Sequence, residues 1–139
     1  MGLPKRFQGK PNPRSPGELA FYTLLCSEEW ELTGLPYPDR INGRCFDDRK
    51  HEVDFIWDDF KVALEIIGGK WTPGGHQAMG QDWTTFYKYN RLQVEGWLIL
   101  FVPTDMVTKD IIMVWLGELL ERQGWVPTPE FLGWVPDRS

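Results

Sequence analysis

We expect the fold to be built around two stretches of sequence, HEVDFIW at residues 51–57 and KVALEII at residues 61–67. Apolar and polar side chains alternate in both stretches, which is the pattern of a β-strand with one face buried. Asp54 lies on the outer face of the first strand, and Glu65 lies on the outer face of the second. Because the link through Asp58-Asp59 is short, the two strands are predicted to form an antiparallel hairpin.

This hairpin would place two carboxylates on one face. If the link is a two-residue turn, Asp54 lies opposite Ala63, and Glu65 lies diagonal to Asp54 with about 7–8 Å between Cα atoms. Two carboxylates and a backbone carbonyl, here that of Ile66, are sufficient to hold Mg²⁺. The alternative is an ordinary solvated strand face. A register shift of one residue would also separate the two carboxylates onto opposite faces.

Signals on both sides of the hairpin predict three helices and one more strand. Ser15-Pro16-Gly17-Glu18 has the form of a capping box, which predicts a helix over residues 16–30. The continuous apolar run at residues 97–102 is typical of a buried central strand. Two further helices are predicted, one from Gln77 or Asp82 to Val94 and one over residues 105–122. This order predicts an α/β (α+β) fold, a small mixed β-sheet flanked by helices.

The chain divides into an arm, one domain and a tail. Residues 1–15 are rich in proline and contain four basic side chains and no acidic one, which predicts a flexible basic arm. Residues 16–122 carry the expected sheet and helices. Residues 123–139 form an apolar tail that we expect to pack on its own domain or on a dimer partner. Its large apolar side chains are Trp125, Phe131, Leu132 and Trp134.

Composition excludes several classes of protein. The chain has 139 residues, which is the size of one domain, and its two cysteines cannot form a disulfide framework. No apolar run is long enough for a membrane span, and the first residues lack the apolar core of a signal peptide. The expected location is therefore the cytoplasm, that of the host cell if the chain is phage-encoded. The net charge of −5 argues against nucleic-acid binding through overall basicity, so such binding would depend on local basic patches.

Several short motifs, taken in order, resemble the PD-(D/E)xK nuclease superfamily, in particular its small phage and prokaryotic members such as Holliday junction resolvases. The motifs are Val53-Asp54-Phe55, Lys61-Val62-Ala63-Leu64-Glu65-Ile66-Ile67-Gly68-Gly69, Trp71, Gly75-His76 and Lys88-Tyr89-Asn90. The resemblance covers about residues 15–107 and implies a restriction-endonuclease-like core. It also implies metal-dependent hydrolysis of phosphodiester bonds, so residues 16–122 would be the nuclease domain.

The resemblance assigns metal ligands to specific positions. Asp54 would be the first ligand, Glu65 the second, and Ile66 would contribute its carbonyl. Mg²⁺ is the implied cofactor, and Mn²⁺ is expected to substitute for it.

The chain departs from the superfamily motif at the lysine. The motif has a lysine two residues after the glutamate, where this chain has Ile67. Superfamily variants with the lysine on the following helix suggest Lys88 as the replacement. Lys61 and Lys70 are the other candidates, but Lys61 is about 13 Å along the strand from Glu65.

Two further residues have competing interpretations. Glu18 completes the predicted capping box, which is sufficient reason for a glutamate there, whereas the resemblance to archaeal resolvases suggests a first-helix metal ligand. His76 follows two glycines and could act as a base or contact a phosphate, although a loop histidine is more commonly a surface residue.

The implied partner is DNA, branched DNA in particular. The predicted phosphate contacts are Lys5, Arg6, Lys10, Arg14, Arg49 and Lys50. A homodimer is expected because two symmetric cuts resolve a junction. The alternative function is a binding module without catalysis, in which the missing lysine marks a degenerate nuclease site and the eight tryptophans contact single strands or a protein.

Overall fold

The computed structural model describes residues 15–68 and 83–135. Its elements are α1 (Pro16–Leu25), α2 (Glu28–Thr33), β1 (Arg40–Phe46), β2 (Arg49–Trp57), β3 (Val62–Ile67), α3 (Trp83–Val94), β4 (Leu98–Pro103), α4 (Asp110–Arg122) and α5 (Pro129–Trp134). Short 3₁₀ turns occupy Asp58–Phe60 and Thr104–Met106. None of the helices in these two ranges is long and apolar enough to cross a bilayer. The predictions for Lys5, Arg6, Lys10, Arg14, Lys70 and His76 lie outside the described residues.

The four strands form one mixed sheet in the order β1-β2-β3-β4. β1 and β3 pair antiparallel with β2, and β4 pairs parallel with β3. The predicted small mixed sheet flanked by helices is therefore confirmed. The prediction that the apolar run at residues 97–102 is a central strand is wrong, because β4 lies at an edge of the described sheet and only Val102 in it is fully buried. β4 contacts α3 and α4, so its apolar run reflects coverage by helices.

The hairpin of β2 and β3 has a longer link than the two-residue turn that we expected. Ile56 pairs with Ala63, and Trp57 pairs with Val62. The link contains a 3₁₀ turn and then Lys61, whose φ of 53° is left-handed. The register therefore differs from the expected one by two residues. Because side chains alternate with a period of two, this shift leaves Asp54 and Glu65 on a common face.

The predicted helix over residues 16–30 is interrupted near Ser27. The Ser27 hydroxyl donates to the Leu24 carbonyl at 2.6 Å and accepts the Trp30 N–H at 3.3 Å. A serine that bonds the backbone in this way ends one helix and caps the next. α2 consequently starts as a separate helix, and Trp30 in it is completely buried.

Both faces of the sheet are covered. The larger apolar cluster includes Phe21, Trp30, Phe55, Leu64 and Leu116, and the smaller one includes Phe46, Val53, Ile56, Ala63 and Leu92. The two central strands are therefore buried on both faces near the hairpin, and not on one face as the alternation predicted. The smaller cluster contains Leu92 of α3, the helix that also carries Lys88.

The tail packs on its own chain through α5. Phe131 is completely buried, and its ring lies 5.4 Å from that of Trp125. Gly117 of α4 faces the Phe131 ring, and a Cβ at position 117 would overlap it. Leu132 stays exposed. Phe131 is thus buried without a second copy of the chain, and Trp125 and Trp134 pack against the same core.

Candidate active site

The two predicted carboxylates meet where β2 and β3 separate. Backbone pairing between the strands runs from Trp57 to Phe55, which is opposite Leu64. Beyond that point the Asp54 N–H donates to Glu65 Oε1 at 2.9 Å, and the Ile66 N–H donates to Asp54 Oδ2 at 2.7 Å. Two side chains thus replace carbonyls as backbone hydrogen-bond acceptors. The register places Asp54 opposite Glu65, and not opposite Ala63 as predicted.

Glu18 joins this pair from α1. Its backbone N–H donates to Ser15 Oγ at 3.2 Å, which is the expected N-terminal cap. Its side chain forms a hydrogen bond with the Asp54 side chain. A hydrogen bond between two carboxyl groups requires that one of them be protonated. The backbone and side chain of Glu18 therefore do different things, and the side chain belongs to the carboxylate cluster.

Asp54 has the most strongly altered acidity of the cluster. Burial is the largest cause of its raised pKa, and the negative charge of Glu65 adds to it. Glu18 raises the pKa further, whereas the hydrogen bond from the Ile66 N–H lowers it. The resulting pKa is about 7, compared with an ordinary value of 3.8. A carboxyl group in this position is poised to exchange its proton for a cation near neutral pH.

Lys88 reaches the cluster from α3. Its Nζ lies 2.9 Å from Glu65 Oε2 and also donates to the Glu52 carbonyl at 3.1 Å. Both members of this ion pair are well shielded, with 16% of the Lys88 side chain and 9% of the Glu65 side chain exposed. Lys61 is instead turned to the Glu95 carbonyl at 3.1 Å. Of the two described lysine candidates, Lys88 is the one at the site.

Tyr89 is a site residue that the sequence analysis did not identify. Its hydroxyl donates to Glu65 Oε2 at 2.6 Å, and its ring lies 5.0 Å from that of Phe101 in β4. Burial and the charge of Glu65 raise the pKa of Tyr89 well above its ordinary value. The only sequence signal was its position next to Lys88. Such adjacency does not show which neighbour faces the site, because consecutive helical residues point about 100° apart.

The predicted ligands are oxygen donors of the kind that a hard divalent cation prefers. Their oxygens are, however, not arranged around a common point where an ion would bind. Glu18, Asp54 and Glu65 supply carboxylate oxygens, and Ile66 adjoins them through its N–H. The oxygens of Glu65 already accept three hydrogen bonds, from the Asp54 N–H, Lys88 and Tyr89. Within residues 15–68 and 83–135, no three or more acidic, histidine or cysteine side chains are arranged to hold a metal ion. A cation would therefore compete with these donors for Glu65 and with the proton on Asp54.

The predicted phosphate contacts that the structure describes lie at the start of β2. Arg49 and Lys50 are both exposed. The Arg49 guanidinium lies over the Tyr87 ring, 4.6 Å from its centroid. This position puts positive charge on the same β2–α3 side of the molecule as Lys88.

Comparison with known proteins identifies no significant match to this chain. No family model matches the chain, and no curated protein or solved structure matches it significantly. The resemblance to PD-(D/E)xK nucleases therefore stays a prediction that depends on the residues and their geometry.

Proposed function

We propose that the protein is a metal-dependent DNA endonuclease of the PD-(D/E)xK type. The observation that carries the proposal is the convergence of three carboxyl groups and one lysine at the separation of β2 and β3. Glu18, Asp54, Glu65 and Lys88 come from four different elements, and the pKa of Asp54 is raised to about 7. Clusters of acids with perturbed pKa values are more common at functional sites than elsewhere.

Each group has a distinct role in this proposal. Asp54 and Glu65, with Glu18 and the Ile66 carbonyl, would hold Mg²⁺, and Mn²⁺ would substitute. When bound, such an ion polarises a phosphate oxygen and lowers the pKa of a bound water. Lys88 would stabilise the negative charge that develops on the phosphate, since its Nζ is held beside Glu65.

The expected substrate is branched DNA such as a Holliday junction, and the expected state is a homodimer. Two active sites related by a two-fold axis would make the paired cuts that resolve a four-way junction. The buried position of Phe131 means that the tail gives no independent reason to expect a dimer. Cytoplasmic location likewise stays a prediction.

The first experiment is Mg²⁺-dependent nicking of linear, nicked and four-way DNA by the purified protein. Asp54→Asn and Glu65→Gln should abolish cleavage and leave DNA binding intact, because both variants remove ligands without removing positive charge. Asp59→Asn is the matched control, since Asp59 is an exposed acid in the turn of the same hairpin. Cleavage by Asp54→Asn at the wild-type rate would show that the metal site is placed wrongly.

A second experiment addresses the partners. Light scattering measures the oligomeric state, and labelled junctions reveal whether nicks fall at matching positions on opposing strands. Deleting residues 1–14 should weaken DNA binding and flatten its salt dependence, because each phosphate contact contributes about 0.9 to the slope of log K against log salt. A monomer that nicks linear duplex as readily as a junction would leave only a general nuclease.

One observation favours the alternative, a binding module without catalysis. Lys88, Tyr89 and the Asp54 N–H already satisfy Glu65, so the cluster is also compatible with a purely structural network. In that case the wild-type protein would bind DNA and fail to nick it in either Mg²⁺ or Mn²⁺. Its stability would also be insensitive to both ions.

A further inference from the structure

A small open pocket lies against Lys88. Its volume is about 110 Å³, and it is lined by His51, Thr84, Thr85 and Lys88. His51 belongs to β2, three residues before Asp54, and both threonines belong to the first turn of α3. Of these four side chains, only Lys88 belongs to the site proposed above.

The chemistry of the lining suits an acceptor-rich ligand. Two hydroxyls, an ammonium group and an imidazole can all donate hydrogen bonds, and none of the described lining residues is an acid. His51 Nδ1 is buried and has no hydrogen-bond partner among the described residues. A buried polar atom without a partner costs free energy, and a ligand in the pocket would remove that cost once the imidazole ring turned Nδ1 toward it.

The charges around His51 also favour an anion. Burial lowers the pKa of His51, and the positive charges of Lys88, Arg49 and Arg91 lower it further. Lys88 and Arg91 also form ion pairs, Lys88 with Glu65 and Arg91 with Asp48 and Glu95, whereas the Arg49 guanidinium lies over the Tyr87 ring. The field that opposes a proton on the imidazole would attract a negative group into the same space.

We propose that this pocket binds a phosphate of the DNA backbone adjacent to the phosphate that is cleaved. The inference rests on the proposed nuclease function, since Lys88 is common to the pocket and to the carboxylate cluster. Phosphate oxygens accept hydrogen bonds from hydroxyl, ammonium and imidazole donors. Binding here would fix the position of the strand relative to the carboxylates and would not take part in bond cleavage.

The test introduces a negative charge at the edge of the pocket. Thr84 is exposed, so Thr84→Glu should fold normally, and Gln93→Glu is the matched control at an exposed position farther along α3. Thr84→Glu should raise the Kd for DNA in metal-free buffer roughly tenfold, since a like charge near the phosphate opposes binding. It should raise KM by a similar factor and leave kcat nearly unchanged. Gln93→Glu should alter neither constant.

A second measurement needs no cleavage. The chain has two histidines, so the spectrum of a His76→Ala variant assigns the NMR signal of His51 directly. Titration with inorganic phosphate should shift the His51 signal in the wild-type protein and in Gln93→Glu, and should fail to do so in Thr84→Glu.

The outcomes separate the two proposals. Nicking of DNA without a phosphate-dependent shift of His51, and with Thr84→Glu equal to Gln93→Glu, would overturn the pocket and leave the nuclease. A phosphate-dependent shift in a protein that neither binds nor nicks DNA would support an anion site and overturn the nuclease. A shift together with impaired DNA binding in Thr84→Glu would support both.

Discussion

Asp54→Asn should stabilise the metal-free protein at alkaline pH. The folded-state pKa of Asp54 is about 7, which is about three units above its ordinary value of 3.8. Each unit corresponds to about 1.4 kcal/mol, so holding Asp54 ionised in the folded protein costs about 4 kcal/mol above pH 7. Asparagine carries no charge, and its amide oxygen can still accept the Ile66 N–H. The variant should therefore avoid this cost and keep the backbone hydrogen bond.

The sign of the pH dependence follows from the raised pKa. Between about pH 4 and pH 7 the folded protein keeps a proton on Asp54 that the unfolded chain has lost. The contribution of this group to stability is therefore complete below pH 4 and decreases as the pH rises to 7. Asp54→Asn lacks this dependence. The two proteins should differ little near pH 4, and the variant should be more stable by about 4 kcal/mol, roughly 14 °C in Tm, near pH 8.

Thermal and urea denaturation across this pH range measure the difference, with Asp59→Asn as the control for loss of one exposed carboxylate. Mg²⁺ provides the second arm of the assay. At a concentration of about 100 Kd it should stabilise the wild-type protein by about 2.7 kcal/mol and should not stabilise Asp54→Asn. If Asp54→Asn is less stable than wild type near pH 8, the electrostatic reasoning is refuted. If Mg²⁺ stabilises both proteins equally, Asp54 is not a ligand.

Three other substitutions test separate parts of the structure. Lys88→Ala should reduce the nicking rate by at least about 100-fold with little change in DNA affinity, and Lys61→Ala should nick normally, since its ammonium group bonds a carbonyl elsewhere; the reverse result would exchange their roles. Tyr89→Phe removes one hydrogen bond to Glu65, so it should lower stability by about 1–3 kcal/mol. Because Mg²⁺ would then compete with one donor fewer for Glu65, the concentration needed for half-maximal nicking should also fall; an unchanged Mg²⁺ dependence contradicts this. Gly117→Val should lower stability by about 1–3 kcal/mol in urea denaturation because its side chain would overlap the Phe131 ring, and an unaltered midpoint would mean that α5 does not pack there.

The common face of Asp54 and Glu65 was predictable from the sequence because it depends only on whether the register is shifted by an even or an odd number of residues. Alternation identifies the side of a strand on which each residue lies, and an error of two residues in the register leaves that side unchanged. The register itself was not predictable. It depends on the left-handed conformation of Lys61, a residue type that carries no turn signal.

Features that depend on long-range packing were beyond the sequence signals. The apolar run of β4 is only partly covered, by α3 and α4 at the sheet edge, and the sequence pattern does not distinguish this cover from burial at the sheet centre. The break at Ser27 was also missed, because serine is tolerated within a helix and only its bonds to the Leu24 carbonyl and the Trp30 N–H show that one helix ends and another begins. Tyr89 was missed because its partner, Glu65, is 24 residues away in sequence.

Where β2 and β3 separate, the two acids also have a structural role, which the protein would need even without catalytic activity. Asp54 accepts the Ile66 N–H, and Glu65 accepts the Asp54 N–H, so each acid also closes a gap in the backbone ladder. Alanine at position 54 would leave the Ile66 N–H without its acceptor, at a cost of about 1–3 kcal/mol, whereas asparagine would not. Among natural variants that have lost the activity proposed here, selection for folding alone would therefore retain amide side chains at positions 54 and 65. Amides at these two positions would mark an inactive descendant, whereas small apolar residues would mark a strand pairing that has been rebuilt.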